Sequence, residues 1–165
     1  MCLRSTHGRV SAVPVPVTLL LAEALPQVDW ADAYAVRRPA GSSMDPQVWA
    51  NAVFREPPLW VGALLVVRES VVRLVGIDRA GSGAFDPVAR ANNEVLLGID
   101  QSHLAFRASV LCEPERVVVS TVVNVHNRRG RFYSLIVRRV HPAVVRAMLR
   151  RAAVRVAKGE TAPSR

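Results

Sequence analysis

The segment between residues 94 and 139 most constrains the fold, because apolar and polar residues alternate along much of it at the period of β-strands. The alternation predicts strands at about 94–100, 103–112, 116–126 and 131–139. Only short turns separate these strands, and connections of that length join antiparallel neighbours. The sequence therefore predicts an antiparallel meander in this part of the chain.

Helical patterns lie on both sides of the meander. Asp45 is a good N-cap with Pro46 at the first helical position, and a second helix is predicted at about 59–75. A C-terminal helix is predicted to begin at His141-Pro142 and to end at about Ala157. Upstream, we expect a short helix at Val17–Leu25 and a first strand at 29–39. The fold class predicted is α+β, with a strand, two helices, an antiparallel sheet and a long C-terminal helix in that order.

The 165 residues fit one domain of ordinary size. We expect an N-terminal extension at 1–27, a single domain at 28–157 and a flexible tail at 158–165. The longest apolar run, LWVGALLVV, is too short to span a membrane. Cys2 and Cys112 lie far apart in the sequence, which predicts reduced thiols and a soluble, cytoplasmic protein. Because there is no Cys/His cluster and no Gly-rich dinucleotide motif, we expect no metal or other cofactor.

The charge is strongly positive, with a formal net value of +9. The stretch from Arg116 to Lys158 contains many arginines and no acidic residue. Nucleic acid, anionic lipid or an anionic ligand could bind such a surface. However, the basic residues are interleaved with Val and Leu, and no motif that reads nucleic acid accompanies them. A solvated basic face is the favoured interpretation, and nucleic acid is the less favoured partner.

Strand alternation divides the predicted sheet into two faces. If Cys112 pairs with Val117 and Val125 pairs with Phe132, one face is almost wholly apolar. Such a face is typical of a small-molecule pocket. We predict that the residues lining this pocket are Phe106, Thr121, Phe132 and Ser134 from the sheet, with Trp60 and Arg68 from the second predicted helix. Each also has a structural interpretation, as a core residue or, for Arg68, as a side chain that reaches the surface.

The opposite face carries an alternative polar cluster, which consists of His103, Arg107, Asn124, His126 and Tyr133. These groups could do acid–base chemistry, with His126 as the first candidate for a general base. No carboxylate close in sequence orients either histidine, so a hydrated outer surface is favoured there. For His141 the simplest role is to start the last helix, and reaching the mouth of the pocket is the alternative.

Four stretches and one residue support a resemblance to a known group of proteins: DWADAYAV, PPLW, TVVNVHNRRGRFY and VHPAVVRAMLRRA, with Arg68 in the second predicted helix. Over about Val28 to Ala153 the chain resembles an actinobacterial-type family of uncharacterised function. That family resembles in turn the helix-grip fold of the START and polyketide-cyclase (SRPBCC) superfamily. The resemblance implies a curved sheet around a C-terminal helix, with a cavity for a small hydrophobic molecule.

The resemblance leaves three functions open. The first is binding of a small hydrophobic molecule, with polyketide-cyclase-like chemistry in secondary metabolism as an extension of it. The second is a basic module that binds nucleic acid or another anionic partner. The third is an accessory domain of a short-chain dehydrogenase-like protein. A homodimer is compatible with each of them.

Overall fold

The computed structural model describes residues 8–55, 57–62 and 86–159. The strands are β1 Val10–Ala12, β2 Trp30–Arg37, β3 Pro87–Arg90, β4 Glu94–Asp100, β5 Leu104–Cys112 and β6 Arg116–Val125. The helices are α1 Leu19–Ala22, α2 Pro46–Phe54 and α3 Arg128–Ala157. Residues 59–62 are also helical, whereas most of the second helix predicted at 59–75, including Arg68, lies outside the described residues.

The strands form one antiparallel sheet in the order β1-β2-β6-β5-β4-β3. The predicted meander is confirmed for β4, β5 and β6, and Cys112 pairs with Val117 as predicted. Strand β2 lies beside β6, which places Asp32 opposite Thr121. The α+β class is therefore confirmed, and an antiparallel sheet with a long C-terminal helix is consistent with a helix-grip arrangement.

The strand predicted at 131–139 is wrong, because this segment belongs to the thirty-residue helix α3. Asn127 caps the helix, and its side-chain oxygen accepts a hydrogen bond from the Gly130 amide at 3.0 Å. Gly130 packs so closely on the turn between β4 and β5 that an added Cβ would lie 2.1 Å from the His103 carbonyl oxygen. Pro142 lies inside α3 and does not begin a helix there, so the Arg138 carbonyl loses its usual helical donor.

Two predicted pocket residues change place as a consequence. Phe132 is on α3 and its side chain is 63% exposed, so it does not line the inner face of the sheet. Ser134 is also on α3, where it is buried against the sheet. Tyr133 of the alternative polar cluster likewise belongs to the helix and not to the sheet.

Helices α2 and α3 cover the face of the sheet that carries the predicted apolar residues. The largest core cluster joins Trp49 of α2, Leu149 and Ala152 of α3, and Val110 and Val119 of the sheet. This part of the inner face is packed by side chains, and the packing of α3 against it stabilises both layers.

The outer face of the sheet is not the hydrated surface that the sequence predicted. Leu21 and Leu25 of the N-terminal segment pack on Leu96, Ala105 and Val122 of this face. The face also buries Glu94, Ser109 and Ser120, and the Glu94 carboxylate accepts hydrogen bonds from Ser109 and from Thr18, the N-cap of α1. Its polar residues are therefore largely interior groups beneath the N-terminal segment.

Among the helices that the structure describes, none combines the length and the apolar composition needed to cross a membrane. Helix α3 is long enough, but it carries nine arginines.

Helix α3 offers two leucines for a test of this packing. Leu149 is fully buried, whereas Leu135, fourteen residues earlier on the same helix, is 60% exposed. Leu149→Ala should lower the free energy of unfolding by about 2–5 kcal/mol, the usual cost of a cavity in a core. Leu135→Ala should change it by less than about 0.5 kcal/mol. Urea denaturation measures both values, and equal losses would contradict the orientation of α3.

Candidate functional site

A group of polar and aromatic side chains lies between β2 and the first half of α3. Trp30, Asp32 and Tyr34 alternate along β2 and therefore share the face that α3 covers. Ser134 and His141 contribute from α3, and Thr121 contributes from β6. We call these six residues the β2–α3 cluster.

The centre of the β2–α3 cluster is a histidine held by a carboxylate. His141 Nδ1 lies 2.9 Å from Asp32 Oδ2, and the two side chains are 16% and 24% exposed. Because a carboxylate only accepts hydrogen bonds, this contact requires a proton on Nδ1. His141 Nε2 then faces the Thr121 hydroxyl oxygen at 3.5 Å, the outer limit of hydrogen bonding.

The second oxygen of Asp32 adds an unsatisfied group to the cluster. Asp32 Oδ1 is buried and has no hydrogen-bond partner in the part of the chain that the structure describes. A buried carboxylate oxygen usually has a partner. The Tyr34 phenol lies close enough that, besides burial, a hydrogen bond to the Asp32 carboxylate helps raise the pKa of Tyr34, so a small shift of this hydroxyl, a water or a ligand donor can satisfy the oxygen. The carboxylate can therefore orient His141 with one oxygen and receive a donor with the other.

Trp30 forms one wall of the cluster. Its indole Nε1 donates a hydrogen bond to Ser134 Oγ at 2.6 Å, and its ring meets the His141 ring edge to face at 5.4 Å. The guanidinium carbon of Arg138 lies 5.7 Å from the centroid of the same indole ring. The ring is thus fixed by a hydrogen bond at its edge, with a cation near its face.

Tyr34 forms the other end of the cluster. Burial raises the pKa of its phenol, and the negative charge of Asp32 acts in the same direction, while Arg146 opposes both. The guanidinium carbon of Arg146 lies 5.1 Å from the centroid of the phenol ring. Tyr34 therefore stays protonated and uncharged at neutral pH.

A small cavity adjoins the β2–α3 cluster. Its volume is about 180 Å³, and it shares Trp30, Ser134 and Arg138 with the cluster and its surroundings. Ligand pockets commonly have volumes of roughly 300–1,000 Å³. The cavity therefore suits a single ring or a short substituent of a larger molecule.

The structure brings together only part of the predicted pocket. Thr121 and Ser134 both belong to the β2–α3 cluster, and Phe106 packs next to Trp30 on the inner face. Trp60 lies elsewhere, 46% exposed beside the last turns of α3. Phe132 is exposed on α3, and Arg68 is outside the described residues.

The alternative polar cluster is divided among several environments. His103 is buried and its ring meets Tyr133 edge to face at 5.7 Å. Arg107 forms a two-point ion pair with Asp100, which lowers the pKa of that carboxyl through the hydrogen bonds from Arg107. His126 is exposed, as predicted, with Nδ1 3.0 Å from the Gln101 carbonyl oxygen. Asn124 is partly buried on β6.

Asp32 was not among the residues predicted for a site, and His141 was predicted mainly to start the last helix. A continuous helical stripe from Ser134 through Arg138, His141 and Val145 was the signal that could have revealed them. It places His141 on the face of α3 that contacts the sheet. The alternation of Trp30, Asp32 and Tyr34 then brings a carboxylate to that face.

Among the described residues, no group of three or more His, Cys, Asp or Glu side chains could hold a metal ion. Cys112 is a buried thiol whose pKa burial raises to about 12, with a smaller contribution from Asp45. It therefore carries almost no thiolate at neutral pH and is a poor nucleophile.

Comparison with protein-family models matches residues 24–148 to DUF2867, which is described as a protein of unknown function. The match includes all of β2 and β6 and most of α3, and hence every residue of the β2–α3 cluster. No curated protein matches the chain significantly, and no solved structure does.

The contact between Asp32 and His141 can be measured by a double-mutant cycle. With Asp32→Asn and His141→Gln, the coupling in the free energy of unfolding should be about 1–2 kcal/mol, because the pair is mostly buried and hydrogen-bonded. The matched control pairs Asp32→Asn with His126→Gln, an exposed histidine, and should show no coupling. Additive effects for Asp32 and His141 would contradict the contact.

Proposed function

Because the chain belongs to the DUF2867 family, whose description assigns no activity, we propose a function from its own contacts. The protein binds a small, mainly apolar molecule beside Trp30 and moves a proton on it with His141. Asp32 orients the imidazole for this step.

The arrangement of Asp32, His141 and Thr121 is the observation that supports this proposal most strongly. A catalytic base needs a fixed orientation and an available lone pair. The Asp32 carboxylate fixes the orientation of the imidazole by accepting a hydrogen bond from His141 Nδ1 at 2.9 Å. The contact of Nε2 with Thr121 is long enough, at 3.5 Å, for a substrate proton to replace it.

The surroundings of Trp30 support the binding part of the proposal. The indole lines the cavity of about 180 Å³ together with Arg138, whose guanidinium lies near the same ring. A flat ring of the ligand can pack on the indole while Arg138 pairs with an anionic oxygen. The best candidate ligand is therefore a small ring compound that carries a carboxylate or an enolisable carbonyl.

We also place the protein, as part of this proposal, in the START and polyketide-cyclase-like helix-grip superfamily. The long helix across an antiparallel sheet supports that placement. Aldol-type ring closures in secondary metabolism begin with loss of a proton from a carbon beside a carbonyl, and one oriented histidine can accept that proton. Fold likeness gives no activity by itself, so the reaction must be tested at the site.

The test combines binding and proton exchange. A library of single-ring carboxylates and cyclic β-dicarbonyl compounds is screened by NMR against the ¹⁵N-labelled protein. Binders should shift the Trp30 indole resonance and the amides near Ser134 and His141. For β-dicarbonyl compounds that bind, the protein should accelerate the exchange of hydrogen for deuterium at the carbon between the two carbonyl groups. Mass spectrometry measures this uptake from D₂O.

His141→Gln should lower that exchange rate by about 10²-fold or more, the usual contribution of a general base, with little change in affinity. The matched control is His126→Gln, which removes an exposed histidine and should leave exchange unchanged. Trp30→Phe, which loses the indole donor, should weaken binding. The proposal fails if no compound shifts Trp30, or if both histidine variants exchange at the wild-type rate.

A further inference from the structure

A second concave surface lies near the C-terminal end of α3, and none of its lining residues belongs to the β2–α3 cluster. It has a volume of about 550 Å³, within the usual range for ligand pockets. The lining residues are Pro58, Trp60, Ala147, Arg150, Arg151, Val154, Arg155 and Lys158. We call this surface the basic groove.

The spacing of residues along α3 explains why the basic side chains of the groove lie together. Positions 147, 150, 151, 154, 155 and 158 recur every three or four residues and therefore share one face of α3. They span roughly 16 Å along the axis at 1.5 Å per residue. Segment 57–62 forms the other wall, where it presents Pro58 and Trp60.

The described residues that line the groove carry a net positive charge. Four of its lining side chains are cationic, and no acidic residue lies between Arg116 and Lys158. Within residues 8–55, 57–62 and 86–159, Arg90, Arg107 and Arg116 each pair with a carboxylate, but Arg150, Arg151 and Lys158 form no ion pair. In that part of the chain, no carboxylate competes with an incoming anion for Arg150, Arg151 or Lys158.

The groove also contains an apolar surface that is unusual for a solvated basic face. Trp60 and Val154 are each 46% exposed, and both line it. An exposed indole beside several guanidinium groups can stack on a flat ring while the cations pair with phosphate oxygens. Neither a purely apolar ligand nor a simple inorganic anion uses both features.

We propose that the basic groove binds a small phosphorylated molecule with a flat ring, of the chemical class of a nucleoside diphosphate. The ring stacks on Trp60, and Arg150, Arg151 and Lys158 contact the phosphates. The groove suits a small molecule better than a nucleic-acid strand, because it is about 16 Å long and offers one exposed aromatic ring. Proteins that bind single strands stack successive bases on several such rings.

The experiment measures binding of ADP, adenosine, inorganic pyrophosphate and a fifteen-residue oligothymidylate to the full chain by calorimetry, at 50 and 150 mM salt. ADP should bind saturably at both salt concentrations and more tightly than adenosine or pyrophosphate. Trp60→Ala should lower the affinity for ADP at least fivefold and change the affinity for pyrophosphate less than twofold. Arg150→Glu combined with Arg151→Glu should lower the affinities for ADP and for pyrophosphate at least tenfold.

The matched control is Arg128→Glu combined with Arg139→Glu. It makes the same change in net charge at two exposed positions of α3 outside the groove, and should change ADP affinity less than threefold. Circular dichroism establishes that each variant keeps the fold. Three outcomes overturn the proposal: no saturable binding of ADP below 1 mM, equal losses in the two charge-reversal variants, or tighter binding of the oligothymidylate than of ADP at 150 mM salt.

Discussion

The hydrogen bond between Asp32 and His141 joins the second strand of the sheet to the middle of the longest helix. It spans 109 residues of sequence at a distance of 2.9 Å. Trp30 and Tyr34, on either side of Asp32, contact α3 through Ser134 and Arg146. This row of contacts orients the imidazole, and together with the apolar core around Leu149 it sets the face of α3 that packs on the sheet.

Helix α3 carries two different surfaces because its charge is distributed unevenly. The helix contains nine arginines and no acidic residue of its own, so its charges repel one another along the axis. Arg138 and Arg146 lie near the aromatic rings of β2, which places two of these charges against π-faces. Arg150 and Arg151 have no such rings or carboxylates among the described residues, and they line the basic groove. One helix thus carries the histidine of the proposed proton transfer and, further along, the cations of the proposed anion site.

Most of the sheet could be predicted from the sequence, because its strands are defined locally. Alternation and short turns located β4, β5 and β6, and the tight Glu113–Glu115 turn fixed the pairing of Cys112 with Val117. The segment from Phe132 to Val137 was assigned wrongly, since its aromatic and branched residues favour strands by local propensity. Tertiary contacts stabilise a helix there instead, because Gly130 packs against the His103 carbonyl and Ser134 accepts a hydrogen bond from Trp30. The Asn127 cap was the local signal for a helix.

The site was harder to predict than the sheet, because its residues meet only through that helix. Thr121 was placed correctly by strand alternation, whereas Asp32 and His141 could not be paired without knowing that α3 crosses β2. The outer face shows the same difficulty. Ser109 and Ser120 alternate like solvent-facing residues, but an N-terminal segment distant in sequence covers them and Glu94 supplies a partner for Ser109.

The contact between Asp32 and His141 can be checked by finding which nitrogen of the His141 ring carries the proton. Long-range ¹H–¹⁵N correlation of the histidine-labelled protein, recorded at a pH where the His141 ring is shown to be neutral, reports which nitrogen carries the proton. His141→Gln assigns the resonance. We predict the Nδ1–H tautomer in the wild type, because Asp32 accepts from that nitrogen, and its loss in Asp32→Ala. An Nε2–H tautomer in the wild type, or a spectrum unchanged by Asp32→Ala, would contradict the account.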